Sequence, residues 1–258
     1  MWTLLRRTVI ALGLPAVLLS AWWLLSNGSH SFYWPPLREI LRTFGEVWTA
    51  ERWGFDILPS LGRLMAGYAV SALLGIALGL VIGLNRRVRA VTEPVLEFFR
   101  AIPPPVLVPV IMLFAGIGDM MKVAVIVSGC VWPILLNTVT GVRAVDPVQR
   151  DTFAVFRVKS ATRLRRLVLP AAGPHIATGL RQGLSIGIIL MVVAEMFAAR
   201  SGLGFAIVQF QRGFEIPEMW SGIIMLGMLG VGLALLFTVA ERRALSWYHG
   251  MRRIEGKR

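Results

Sequence analysis

Residues 64–84 read LMAGYAVSALLGIALGLVIGL, twenty-one residues without one charged side chain. A bilayer core takes about 20 predominantly apolar residues per helix. Gly67, Gly75, Gly79 and Gly83 recur at intervals of eight, four and four. Small residues at four-residue spacing let helix backbones approach closely in lipid. The stretch therefore predicts a membrane-crossing helix whose glycine face is covered by another helix.

Similar stretches lie on both sides of it. Residues 8–26 carry no charge, follow Arg6 and Arg7, and hold Trp22 and Trp23 near their far end. A signal peptide would have a shorter apolar core and a small-x-small cleavage site, so an uncleaved first helix is expected. Residues 106–115 are short, but 94–115 reach span length if Arg100 sits at the water interface as an anchor. Residues 123–142 form a fourth span. Residues 177–199 form a fifth, with Arg181 and Glu195 near opposite ends, and 220–240 form a sixth. The expected fold is an all-α polytopic membrane protein of about six transmembrane helices, with no room for a soluble enzyme domain.

Composition agrees. Of the 258 residues 56% are hydrophobic and only 16% charged, whereas soluble domains run near one-quarter charged. A soluble globule and a disordered chain are both excluded. The single cysteine, Cys130, makes no internal disulfide, and His30, His175 and His249 lie too far apart to suggest a metal site. The net charge of +13 would point to nucleic acid in a soluble protein. In a membrane protein basic residues collect in cytoplasmic loops, so no nucleic-acid partner is expected. With the N-terminus inside, eighteen Lys and Arg fall in inner segments and six in outer ones, which predicts that both termini are cytoplasmic. Outside, residues 36–48 repeat Leu37, Ile40, Leu41, Phe44 and Trp48 at helical spacing after Pro36, an amphipathic helix lying on the bundle or the interface.

The longest polar stretch, residues 143–175, falls on the cytoplasmic side. Asp146-Pro147 starts a helix, with Asp as cap and Pro at its first position. That helix, 147–156, mixes Val148, Phe153, Val155 and Phe156 with Gln149, Arg150 and Asp151. Ser160 caps a second helix over 161–168, which Leu169-Pro170 is expected to end. A helix-turn-helix with exposed apolar residues suggests a partner groove. Phe153 and Phe156 are three residues apart and share a face with Gln149, so they are expected to form its apolar knob, with Asp151 at the rim. Arg163, Arg165 and Arg166 suit lipid headgroups.

These residues resemble the "EAA" loop of ABC importer permeases, which reads E-A-A, three residues, G, nine residues, I-x-L-P. Asp151 falls at the Glu, Thr152 and Phe153 at the alanines, Arg157 at the glycine, Leu167 at the Ile, and Leu169-Pro170 are identical. Glycine would adopt a positive φ freely, whereas arginine does so at a cost of about 1 kcal/mol, so the turn is expected to differ from the family's. Leu58-Pro59-Ser60-Leu61-Gly62-Arg63, Arg100-Ala101-Ile102-Pro103-Pro104, Trp132-Pro133-Ile134-Leu135-Leu136-Asn137-Thr138, Gly179-Leu180-Arg181, Ala194-Glu195-Met196 and Ser201-Gly202-Leu203-Gly204 look like the nitrate/sulfonate/taurine branch of these permeases.

The resemblance implies a bacterial inner-membrane subunit that imports a small, anionic solute by alternating access. It pairs with a second permease subunit, most simply as a homodimer. A cytoplasmic ATPase dimer docks on its loops, and an extracytoplasmic binding protein delivers solute. Residues 1–57 would hold the first span and outer segment, 58–245 the permease core, and 246–258 a basic cytoplasmic tail. The coupling residues implied are Asp146, Gln149, Asp151, Thr152, Phe153, Phe156, Arg157, Leu169 and Pro170. Glu195, Asn137 and Arg181 are candidates for the translocation path or gate. No G-x-x-x-x-G-K-[ST] loop occurs in the chain, so it is not expected to be an enzyme or to hold a cofactor. ATP and Mg would reside on the partner ATPase. Two other readings stand beside this one: a secondary transporter driven by an ion gradient, against which the uncharged span centres count, and a membrane scaffold without transport.

Overall fold

Three consecutive prolines, Pro103, Pro104 and Pro105, decide where the chain departs from straight spans. The computed structural model describes residues 2–29 and 31–248, the side chains of residues 2–12 and 198 excepted. His30, His249 and the end of the basic tail, with Arg252, Arg253, Lys257 and Arg258, lie outside the described residues. Among the described residues there are helices and no strands: α1 (Trp2–Ser26), α2 (Leu37–Val47), α3 (Ala50–Leu84), α4 (Arg86–Ala101), α5 (Pro104–Ala115), α6 (Asp119–Arg143), α7 (Pro147–Val155), α8 (Ser160–Phe197), α9 (Leu203–Arg212) and α10 (Ile216–Ala244).

The all-α membrane architecture stands, with four or five spans among the described residues where six were expected. Helices α3, α6, α8 and α10 are long and apolar enough to cross a membrane, and α4 with α5 makes a fifth only as a pair bent by 84°. Helix α1 runs 25 residues, with its side chains described from Gly13 onward. The bend corrects the expected straight helix over 94–115. A residue before proline is pushed out of the helical region, and Ile102 and Pro103 both take extended backbone, with ψ 118 and ψ 123.

Helix α6 is the centre of the bundle, with α3 packed on one side and α8 on the other. The glycine face read from residues 64–84 meets α6 as expected. A methyl group added at Gly67, Gly75, Gly79 or Gly83 would fall 2.6–2.8 Å from Ile126, Ile134, Thr138 or Val142 respectively. From the other side, Gly179, Gly183 and Gly187 of α8 approach Pro133, Ile134 and Cys130 of α6 just as closely. Lipid tails are as apolar as these side chains, so close van der Waals packing, not hydrophobic transfer, holds the three helices together. Leu64, Val108, Ile126, Leu190 and Met191 fill the core beside them.

Leu169-Pro170 does not end a helix, contrary to expectation. A wide π-turn over Leu164–Val168 precedes it, the Leu169 N–H donates to the Leu164 carbonyl, and α8 runs on through Phe197. The extra residue in the turn accommodates a proline that has no N–H to donate. Helix α3 repeats the device: a π-turn over Trp53–Ile57 precedes Leu58-Pro59.

Helix α2 follows its predicted pattern except at Leu41, which is 50% exposed. Leu37, Ile40 and Trp48 are buried, α2 packs on α10, and Trp48 Nε1 donates to Ser221 Oγ at 3.2 Å. The starts of α3, α6 and α10, the end of α8, and α9 gather at one end of the bundle; α7 lies at the other.

Candidate functional site

Helix α7 is built as the sequence suggests. Asp146 caps it, its Oδ1 accepting the Val148 N–H at 2.7 Å. The guanidinium of Arg150 donates to the Val142 carbonyl at the end of α6, which ties α7 to that helix. Thr152 Oγ1 donates to the Val148 carbonyl at 2.7 Å, and Gln149, Asp151 and Thr152 are exposed. The apolar face differs from the expected one. Phe153 is half-buried, whereas Val148, Val155 and Phe156 are 72%, 78% and 76% exposed. Asp151 stands one helical turn from both Val148 and Val155, so it belongs to the middle of the outward face rather than its rim.

The turn after α7 keeps a left-handed residue despite its arginine. Arg157 has φ 50, its N–H donates to Ala154 O at 2.9 Å, and the Val158 N–H donates to Phe153 O at 3.1 Å. This pair of bonds is the Schellman closure of a helix. The expected departure at this turn is therefore absent: the geometry a glycine would adopt freely is held by an arginine, at a cost of about 1 kcal/mol.

Glu195 sits at the opposite end and is buried, 1% exposed, although it lies near the end of its span. Arg63 Nη1 donates to its Oε1 at 2.7 Å. Ser60 Oγ lies 2.8 Å from both carboxylate oxygens, and the Gly204 N–H donates to Oε2 at 3.0 Å. Arg63, itself 7% exposed, also donates from Nε to Asp119 Oδ1 at 2.7 Å and from Nη1 to Ser201 O at 2.9 Å. The start of α9 is held the same way: the Gly202 N–H donates to Asp56 Oδ1 at 3.2 Å and the Leu203 N–H to Ser60 Oγ at 2.9 Å. Only glycine fits at 202, where φ is 120 and a Cβ would lie 2.4 Å from the Glu195 carboxyl carbon. Together these bonds join α3, α6, α8 and α9 into one node.

Asn137 and Arg181 lie elsewhere. Arg181 forms an ion pair with Glu241 of α10 and lies 6.0 Å from the centre of the Phe237 ring. Asn137 Nδ2 donates to Pro133 O at 2.8 Å and to Gln182 Oε1 at 3.1 Å. It lines an open cavity of about 490 Å³ between α5, α6 and α8, together with Arg100, Pro104, Trp132 and Gln182. Glu195 therefore lies apart from the other two candidates, which meet different partners: Asn137 the neighbouring Gln182, Arg181 the Glu241 carboxylate. Sequence reasoning missed Arg63 as the partner of Glu195, and Gln182 and Trp132 as neighbours of Asn137. Motif strings containing Arg63 and Trp132 were visible, but their partners lie across the fold.

Residues 72–244 match the family described as binding-protein-dependent transport system inner membrane component. The taurine transport system permease protein of Escherichia coli (strain K12) is 29% identical over 256 residues, which cover 96% of this chain and 92% of that protein. The nitrate import permease protein of Synechocystis sp. (strain PCC 6803) is 30% identical over 84% of this chain and 82% of its own length. Among solved structures, the MetNI methionine ABC transporter in an inward-facing conformation shares the fold. Its TM-score is 0.59 at 18% identity, over 77% of this chain and 98% of that one.

Proposed function

Since the chain belongs to the family of binding-protein-dependent transport system inner membrane components, we propose that two copies of it line the path of an ABC importer for a small anionic solute. Relatives named for taurine and nitrate support that solute class. The eighteen-to-six distribution of basic residues supports a cytoplasmic position for α7 and both termini. A separate ATPase pair docks on α7, and an extracytoplasmic binding protein delivers solute to the α9 end.

The observation that carries this reading is the mounting of α7. Its outward side chains Val148, Val155 and Phe156 are uncovered, while its base is fixed to α6 through Arg150 and the Val142 carbonyl. Its Schellman turn leads directly into α8. A helix held this way transmits the displacement of whatever grips it to α6 and α8, the two helices that build the centre of the bundle. ATP-driven closure of the docked ATPases would thereby tilt these helices and switch the path between its two openings.

Reconstitution tests the reading. Proteoliposomes holding the chain, its ATPase and its binding protein should accumulate solute only with ATP inside the ATPase-facing compartment. The purified chain alone should hydrolyse none. ATP hydrolysis by the contaminant-free chain, or uptake driven by an ion gradient without the ATPase, would overturn it.

A further inference from the structure

The break between α4 and α5 brings a cation to the border of a cavity in the helix bundle. The cavity beside it is lined on α6 by residues from Gly129 to Asn137. At ~1.5 Å per residue they lie roughly 15 to 27 Å along that helix from its start. On α8 the lining runs from Gln182 to Leu190, also mid-helix. Arg100, the last turn of α4, lines the same cavity. The 84° bend between α4 and α5 turns the chain at this cavity, and the Arg100 side chain at its border is 52% exposed. Broken backbone at such depth survives only where protein buries it or where it borders a cavity. An ionisable side chain there marks a site by default.

The surrounding chemistry selects a ligand. Among the described residues Arg100 is the only charged one lining the cavity. Its Nη2 pairs with Glu97 Oε2 at 2.6 Å, with both side chains about half exposed, which leaves the remaining guanidinium N–H groups available. Gln182 uses its Oε1 toward Asn137 and keeps its amide N–H groups to donate. Trp132 lines the cavity beside them. The rest of the lining is mostly proline, leucine and isoleucine. One cation, neutral donors and apolar walls suit a small oxyanion with an apolar or compact body. A guanidinium binds planar or tetrahedral oxyanions through paired N–H groups.

We propose that Arg100, Trp132 and Gln182 form a transient oxyanion half-site on the translocation path, with Glu97 as the internal carboxylate that the solute displaces from Arg100. The inference rests on the importer reading and goes beyond it by assigning the residues that meet the solute within the membrane. Displacement keeps the site weak: the solute must exchange with Glu97 on arrival, and Glu97 returns as it leaves.

The assembled complex in proteoliposomes provides the test, with labelled taurine, ethanesulfonate, nitrate and bicarbonate as probes at saturating binding protein. The readout is solute accumulated per ATP hydrolysed. A purely structural defect lowers uptake and hydrolysis together and leaves that ratio unmoved. For the probe the wild type carries best, Arg100→Gln should lower the ratio at least tenfold and Arg100→Lys should recover part of it. Glu97→Gln should slow release, so that uptake saturates at several-fold lower loaded binding protein. An unchanged ratio in Arg100→Gln overturns the half-site while leaving the importer reading intact. Wild-type complex that carries none of the four probes overturns the anionic-solute reading and the half-site with it. Should Arg100→Gln fail to assemble, Gln182→Leu reads the same cavity: a several-fold drop in the ratio supports the proposal, and full coupling overturns it.

Discussion

Glu195 at the α9 end is 1% exposed and accepts hydrogen bonds from Ser60, Arg63 and the Gly204 N–H, whereas Phe156 at the α7 end is 76% exposed. The polar node spends its charge internally. Each guanidinium nitrogen of Arg63 donates to a partner on α6, α8 or the turn into α9. The α7 surface does the reverse: its backbone is closed by a cap and a Schellman turn, while its apolar side chains are left unused. A region whose bonds are complete holds a shape; a region with ordered backbone and uncovered side chains is prepared for another molecule.

The largest expected effect lies in the node. Arg63→Met leaves the Glu195 carboxylate buried without its cation, and breaking such a pair by removing one partner costs about 3–5 kcal/mol. Thermal unfolding in mild detergent should show this as a large loss of folded protein. Asp119→Asn should cost far less, because Asp119 is 69% exposed at its side chain and exposed pairs contribute about 0–1 kcal/mol. Equal losses in the two variants would erase the distinction between buried strut and surface pair.

At the other end, stability and function should separate. Phe156→Ala should weaken co-purification of the ATPase and abolish uptake, with unchanged membrane level. Removing an aromatic anchor from a helix-in-groove contact costs about 2 kcal/mol or more. Phe153→Ala should lose folded protein as well, since Phe153 is half-buried. A fall in membrane level for Phe156→Ala in step with activity would show that this side chain packs on the permease itself.

Smaller changes sharpen the same contrast. Asp146→Ala removes the cap that accepts the Val148 N–H, worth about 1 kcal/mol, and should raise hydrogen exchange in α7 while leaving the α9-end node protected. Arg157→Gly should relieve the positive φ, stabilising the turn by up to about 1 kcal/mol, and should be read as slower exchange at Val158. Faster exchange there would mean that the arginine side chain, not the backbone preference, holds the turn.

Much of this was legible in the sequence because it depends on local pattern. Uncharged runs of span length, the glycine face of α3 and the Asp146-Pro147 helix start are all set within a few residues, and the structure has them. The misses share a different cause. Leu169-Pro170 looks like a helix stop unless a π-turn precedes it, and no local periodicity announces a π-turn. The 84° break was hidden because residues 94–115 are apolar enough to cross a membrane whether straight or bent. Arg63 and Glu195 are 132 residues apart, so neither carries a sign of the other. Phe153 and Phe156 share a face by spacing alone, and only tertiary packing turns Phe153 inward.

The central claim is that α7 is the surface gripped by the ATPase and the α9 end is not. A photoreactive amino acid placed at position 156, at 155, or at the exposed Gln209 of α9 tests it within the assembled complex. The account predicts a cross-link to the ATPase from 155 and 156, stronger when ATP is bound, and none from 209. Cross-linking to the ATPase from 209, or its absence at both α7 positions in a complex that transports, would contradict it.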